Sequence, residues 1–113
     1  MKEHISTLLK NLKEDSLLFK AVIEFIETHY QHKPTAFKNG ALHNEATQNQ
    51  GSAKVFAFAQ LNTLDKGDTL YLFAEHYQSV LENADGTDHQ NIRQFMIHGW
   101  PGIAFEGQAL LLK

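Results

Sequence analysis

The chain has 113 residues, a formal net charge of −3 and no cysteine. Its length and its 42% apolar composition exclude a disordered protein and predict one domain spanning residues 1–113. The lack of cysteine excludes a disulfide framework and a thiolate metal site. The charge gives no broad basic surface for nucleic acid, and no apolar run approaches the ~20 residues of a membrane-spanning helix. We therefore predict neither nucleic acid nor a membrane as a partner.

Two amphipathic helices are predicted at the start of the chain. The first, over residues 3–13, has four apolar residues at helical spacing: Ile5, Leu8, Leu9 and Leu12. Asp15 and Ser16 are suitable caps for the second helix. Its apolar stripe comprises Leu18, Ala21, Val22, Phe25 and Ile26.

Short extended segments follow the second helix and close the chain. Pro34 favours extended backbone at Lys33, residues 35–37 read as a strand, and Asn39-Gly40 reads as a tight turn. Near the end, residues 103–105 and 108–112 are further extended candidates. Segments 35–37 and 103–105 are candidates to pair, although nothing local sets their register.

The central stretch, residues 44–64, is polar in its first half and apolar in its second half. We interpret it as a helix, because its length and its alanine content favour one. A strand is the alternative for residues 55–59, since their phenylalanines alternate with smaller residues. Gly51 costs a helix ~1 kcal/mol relative to alanine. Either some contact needs the missing side chain, or the helix begins after Gly51.

Two more helices are predicted in the second half of the chain. Asp65 caps the first, whose apolar residues keep helical spacing to Ala84. Thr87 and Gln90 form a capping-box pattern for the second, which ends at Gly99. The fold class is thus α+β, with about five helices and a small sheet of two to three short strands. Six residues are expected to share the core: Val22, Phe56, Phe58, Phe73, Tyr77 and Phe95.

Two polar segments contain the candidate functional residues. In a helix, the side chains of Glu45, Gln48, Asn49 and Ser52 would share one face. They would form a binding site with Glu45 as a base and the amides as orienting donors. The alternatives are a solvated first helical turn and a buried polar network.

The second segment, residues 85–93, brings an acid, an imidazole, an amide and a guanidinium within six residues: Asp88, His89, Asn91 and Arg93. His89 is suited to acid–base chemistry near neutral pH. The alternative is an ordinary helix start. Arg93 is the only arginine, which makes it a candidate partner for Glu45. We therefore predict that the two segments face each other across one site.

No cofactor and no metal are predicted. Seven histidines are present, but they form no His-Glu-x-x-His motif, and no carboxylate-rich calcium loop occurs. A phosphate-binding P-loop and a dinucleotide-binding glycine motif are also missing from the sequence.

The chain resembles the HopJ (HopPmaJ) type III effector family over nearly its whole length. The matching segments are residues 34–40, 44–52, 54–61, 85–93, 99–100 and 103–105. The segments Asn44-Glu-Ala-Thr-Gln-Asn-Gln-Gly-Ser52 and Asp85-Gly-Thr-Asp-His-Gln-Asn-Ile-Arg93 are the most specific. The resemblance implies a protein of the kind injected into plant cells by a secretion apparatus. It implies no catalytic residue and no cofactor.

Two functions are compatible with these observations. One is a small binding or regulatory module for an unknown protein or small-molecule ligand, and the other is a small hydrolase or transferase using Glu45 and His89. Type III export signals tend to be unstructured, whereas residues 3–13 are predicted to be helical. We therefore expect the protein in the bacterial cytoplasm, with secretion into a host cell as the alternative that the resemblance implies.

Overall fold

Six α-helices and five short strands make up the fold of residues 2–113, the part of the chain that the computed structural model describes. The elements are α1 (Lys2–Lys13), α2 (Phe19–His29), β1 (Tyr30–His32), β2 (Phe37–Asn39), β3 (Leu42–Asn44), α3 (Gln50–Leu61), α4 (Lys66–Tyr71), α5 (Glu75–Glu82), α6 (Gln90–His98), a 3₁₀ turn (Trp100–Gly102), β4 (Ile103–Phe105) and β5 (Leu110–Leu112). The predicted α+β class is confirmed. None of the helices in this part of the chain has the length and apolar composition needed to cross a bilayer.

Helix α3 lies at the centre of the core. Its five consecutive residues 55–59 are all buried, and Phe56 and Phe58 have no exposed surface. A helix that is apolar on every side has to be covered on every side, and α3 packs against α2, α4 and β5. The helical interpretation of residues 55–59 is confirmed, and the strand alternative is wrong.

Aromatic rings surround the two phenylalanines of α3. Phe56 contacts four of them, with centroid separations of 4.9–6.4 Å: Phe37 on β2, Phe73 between α4 and α5, Phe95 on α6 and Trp100 of the 3₁₀ turn. Phe58 packs edge-on against Phe25 and Tyr30. The predicted shared core is present, with Tyr77 partly buried against it.

Two small antiparallel sheets each join a strand from residues 30–44 to a strand near the C-terminal end of the chain. Strands β3, β2 and β4 form one sheet in that order, and β1 pairs with β5 in the other. In the three-stranded sheet Phe37 lies opposite Phe105 and Asn39 opposite Ile103. The predicted partners therefore do pair, but β2 begins two residues later than expected. The reason is that the Thr35 N–H donates to the side-chain oxygen of Gln50 (3.0 Å) and not to a strand.

The predicted long helix over residues 70–84 is wrong. The chain breaks between α4 and α5 at Ala74, whose φ of 52° and ψ of −123° lie outside the helical region. The break allows Leu72 and Phe73, which are adjacent in sequence, both to be buried. Leu81, one of the apolar residues at helical spacing in this stretch, is 48% exposed.

The predicted cap of α2 is also wrong. The helix begins at Phe19, after Leu18, and no side chain of its own segment caps it. Ser16 donates to the Asn11 carbonyl instead, and Leu18 is 63% exposed. A distant carboxylate takes over the role, because Glu75 of α5 accepts a hydrogen bond from the Phe19 N–H at 2.6 Å.

Removing the Phe58 ring tests the central position of α3. Phe58→Ala should lower the free energy of unfolding by about 3–5 kcal/mol, because a fully buried ring leaves a cavity that the core cannot fill. Urea denaturation measures the change. A loss below ~1 kcal/mol would contradict the packing of α3 described above.

Helix α1 belongs to the folded core, since Ile5, Leu8, Leu9 and Leu12 are all buried. We expect a chain lacking residues 2–13 to melt at a clearly lower temperature or to remain unfolded. Leu12→Ala, with the rest of α1 intact, should cost about 2–5 kcal/mol. Substitution of the exposed Lys10 by alanine is the matched control and should change stability by less than about 0.5 kcal/mol. A neutral deletion would show that α1 is dispensable for the fold.

Candidate functional site

The polar segment before α3 is a loop and not the predicted helical face. Strand β3 ends at Asn44, and the helix begins only at Gln50. Residues 45–49 are therefore irregular, and Glu45 and Gln48 are exposed. The Gln48 side-chain oxygen accepts a hydrogen bond from the Glu45 N–H at 3.1 Å. Glu45 pairs with His43 at 3.1 Å, and both side chains are largely exposed.

A cluster of amide side chains connects this loop to α6. We define the amide cluster as Asn39, Asn44, Asn49 and Asn91, of which Asn49 is exposed and the other three are buried. Asn44 and Asn91 exchange hydrogen bonds through both side-chain atoms, at 3.2 and 3.0 Å. Asn49 donates to Asn44 at 2.7 Å, and Asn39 donates to the Asn91 side chain at 3.0 Å. Amides supply both donors and acceptors, so the cluster joins β2, β3, α3 and α6 without burying a charge.

Gln50 closes the loop from the other side. Its side-chain nitrogen donates to the Gln48 carbonyl at 2.8 Å and to the Thr35 carbonyl at 3.3 Å. Its oxygen accepts from the Thr35 N–H and lies 3.2 Å from the His32 ring. Burial lowers the pKa of His32, which keeps its ring neutral beside this amide.

The second polar segment is held by Arg93 of α6. The guanidinium donates to the carbonyls of Asn83 and Ala84 at 3.0 and 3.1 Å and to the Asp88 carboxylate at 2.7 Å. The Arg93 hydrogen bond lowers the pKa of Asp88. The predicted Glu45–Arg93 pair is therefore wrong: the partner of Arg93 is local, and that of Glu45 is His43.

Helices α3 and α6 begin in the same unusual way. The residues preceding them, Asn49 and His89, have left-handed backbone with φ of 51° and 50°. Neither helix receives a side-chain cap in its first turn. The predicted Thr87–Gln90 capping box is not formed, since the Gln90 side chain donates to the Thr87 carbonyl instead. The first-turn N–H groups of both helices thus have no side-chain acceptor.

Both helix starts open on one cleft of ≈ 430 Å³. The cleft is lined by Phe19, Leu42, Asn49, Gly51, Ser52, Phe73, His76, His89, Gln90, Asn91 and Ile92. Its apolar side contains the stacked rings of Phe19 and Phe73, 6.0 Å apart. The rings of His76 and His89 lie 4.9 Å apart at its polar side. None of these lining residues is acidic.

The cleft brings together half of the predicted site residues. Asn49 and Ser52 from the first segment meet His89 and Asn91 from the second. The other four, Glu45, Gln48, Asp88 and Arg93, are not among its lining residues. Sequence reasoning missed Phe19, Phe73 and His76, which belong to other elements and carry no local signal of a site. In residues 2–113 no group of three or more His, Asp or Glu side chains is placed to hold a metal ion.

Comparison with known proteins identifies the family. A family model described as HopJ type III effector protein matches residues 5–110. The chain belongs to this family. A solved structure, described as the crystal structure of unknown function protein VPA0580, is 43% identical to the HopJ chain. It superposes with a TM-score of 0.88 over 96% of this chain and 92% of the other. No protein of curated function matches the chain.

The amide cluster can be tested by a double-mutant cycle. Asn44→Ala should cost about 1–3 kcal/mol, because it leaves the buried Nδ2 of Asn91 without its acceptor. Combining it with Asn91→Ala should cost less than the sum of the single changes, since both remove the same hydrogen bonds. Urea denaturation measures the free energy of unfolding of each single variant and of the double variant. Glu45→Gln is the control and should be neutral within about 0.5 kcal/mol; additive losses at Asn44 and Asn91 would contradict the coupling.

Proposed function

We propose that this HopJ protein is a small binding or regulatory module whose cleft holds a small anionic ligand. The observation that carries the proposal is the meeting of two uncapped helix starts at one cleft without an acidic lining residue. The ligand class that fits is a carboxylate or a phosphate monoester with an apolar body.

The helix starts supply the attraction for an anion. Each α-helix carries about half a positive charge at its N-terminus, where unpaired N–H groups point outward. Helices of twelve and nine residues meet here. A ligand oxygen between them would accept from backbone donors that have no acceptor of their own.

Gly51 supports this interpretation of the cleft. It occupies the second position of α3, where glycine costs ~1 kcal/mol relative to alanine. Packing does not explain the glycine, because a Cβ at that position would meet only the Phe19 ring at 3.7 Å, an ordinary contact. Gly51 lines the cleft, and the missing side chain would permit the close approach of a ligand to the backbone.

The remaining lining residues suit the two parts of such a ligand. The Phe19 and Phe73 rings offer an apolar surface, and the Ser52 hydroxyl and the imidazoles of His76 and His89 offer donors.

The enzyme alternative lacks a corresponding arrangement. It requires Glu45 and His89 to act on one substrate, but Glu45 does not line the cleft that contains His89. The Glu45 side chain is 64% exposed and pairs with His43. For this reason we favour binding over catalysis by that pair.

We propose the bacterial cytoplasm as the place of action, with delivery into a host cell as the alternative that family membership implies. The packing of α1 supports the cytoplasmic location, since its four buried residues are part of the core. Export in an unfolded form would require the chain to lose these contacts. The proposed partner is a small molecule, or a protein that presents the same anionic group.

Ligand binding can be tested by titrating the protein with inorganic phosphate and with phenyl phosphate while recording amide NMR spectra. We expect shifts concentrated at Gly51, Ser52, Gln90 and Asn91, with tighter binding of phenyl phosphate than of inorganic phosphate. A dissociation constant in about the millimolar range is expected for a ligand this small. Shifts scattered over the surface, or none, would contradict the proposal.

Two variants make the test specific. Gly51→Ala should raise stability by up to ~1 kcal/mol, because alanine favours helix, yet weaken binding by covering the backbone N–H. Ser52→Asp should abolish anion binding by charge repulsion, although an acid in the first turn favours the helix. The exposed Ser79 on α5 is the matched control: Ser79→Asp adds the same charge and should leave affinity unchanged.

A further inference from the structure

Asn39-Gly40 is the one Asn-Gly dipeptide of the chain. In flexible backbone this dipeptide deamidates, because the glycine has no side chain to shield its nitrogen. The Gly40 nitrogen bonds to the Asn39 Cγ, the Cγ–Nδ2 bond breaks, and ammonia leaves with the proton that the backbone amide gives up. Water then opens the five-membered succinimide to aspartate or isoaspartate.

The fold restrains both reacting nitrogens. The Gly40 N–H donates to the Gly102 carbonyl at 3.0 Å, so the nucleophile keeps its proton and its direction. The leaving nitrogen, Asn39 Nδ2, donates to the Asn91 carbonyl at 2.7 Å and to the Asn91 side chain at 3.0 Å. These bonds direct the amide toward α6.

The oxygen of the same amide lacks the support that the reaction needs. Asn39 Oδ1 is buried, and no donor in residues 2–113 bonds to it. Attack at Cγ places negative charge on this oxygen, and such charge has to be stabilised by donors to form readily. In a buried position without a donor the tetrahedral intermediate is strongly disfavoured.

The backbone around the dipeptide is also restrained by strand pairing and close packing. Asn39 lies on the central strand of its sheet, opposite Leu42 on one side and Ile103 on the other. Gly40 is enclosed so closely that a Cβ would collide with the His98 ring. Closure of a succinimide ring requires rotation of this backbone, which would break both strand pairings.

The product would not fit the native structure. Asn39 has no exposed surface, and both of its Nδ2 hydrogen bonds end on Asn91 oxygens. A carboxylate there would oppose two acceptors where the amide had donated, and a buried unpaired charge is strongly unfavourable. Isoaspartate would in addition insert an extra backbone carbon into β2.

We propose that Asn39-Gly40 is a latent deamidation site, which the native fold protects from reaction and which becomes reactive when the protein unfolds. A molecule that stays unfolded is then marked covalently and cannot regain the native strand and amide contacts. The modification acts as a one-way record of unfolding in this chain.

The rates of deamidation in the native and unfolded protein test the proposal. The protein is incubated at mildly alkaline pH, with and without urea above its unfolding midpoint, and peptides are analysed by mass spectrometry for a gain of about one dalton and for isoaspartate. If reaction needs global opening, the native protein reacts at least about 1,000-fold more slowly. Equal rates in both conditions would overturn the proposal.

An internal control separates protection by the fold from slow chemistry. Ala84→Gly creates a second Asn-Gly dipeptide at Asn83, which is exposed and keeps the carbonyls that Arg93 uses. In the folded A84G variant Asn83 should deamidate readily, while Asn39 stays intact. Reaction of Asn39 at the rate of Asn83 in the folded variant would contradict protection by the fold.

The N39D variant tests whether the mark is irreversible. It carries the product charge from synthesis onward, and we expect it to unfold or to melt far below the parent protein at neutral pH. Deamidated protein refolded from urea should behave in the same way. An N39D variant with the stability of the parent would show that deamidated protein can refold. That result would refute the irreversible loss of the native fold, even if Asn39 is protected in the native state.

Discussion

Complete burial of residues 55–59 is the constraint on which the rest of this structure depends. A helix with five consecutive buried residues has no face left for solvent, so other elements have to cover it on all sides. Helices α2 and α4 and strand β5 pack directly on it, and aromatic rings of β2, α6 and the 3₁₀ turn contact Phe56. The surrounding elements also pack on one another: α1 lies against α4, and α6 lies against α4, β2 and the 3₁₀ turn.

The polar features lie where the apolar helix has to begin. At the start of α3 the core gives way to a loop, and the amides of Asn44, Asn49 and Asn91 connect that loop to α6. An amide cluster is suited to this boundary, because amides act as both donors and acceptors without the desolvation cost of an ion pair. It also places the starts of α3 and α6 side by side, which creates the cleft.

Two strained backbone positions accompany this arrangement. Asn49 and His89 both have positive φ immediately before the helices that open on the cleft. Such conformations cost of order 1–3 kcal/mol each and persist only where surrounding contacts impose them. Here the amide cluster holds Asn49, while the Arg93 hydrogen bonds hold the segment that leads to His89. The same contacts therefore stabilise the loops and set the shape of the cleft.

The sequence by itself determined the elements whose pattern is local: α1, the helical nature of residues 55–59, the Asp65 cap of α4, the end of α6 at Gly99 and the α+β class. These depend on spacing, capping and apolar runs, which neighbouring residues define. Only the tertiary structure decided the break at Ala74, the start of α2 beside Glu75, and the partners of Glu45 and Arg93. Four predicted site residues, Asn49, Ser52, His89 and Asn91, line one cleft, whereas Phe19, Phe73 and His76 had no local signal. The physical reason is that burial of adjacent residues, a distant cap and an ion pair are settled by contacts between segments far apart in the chain.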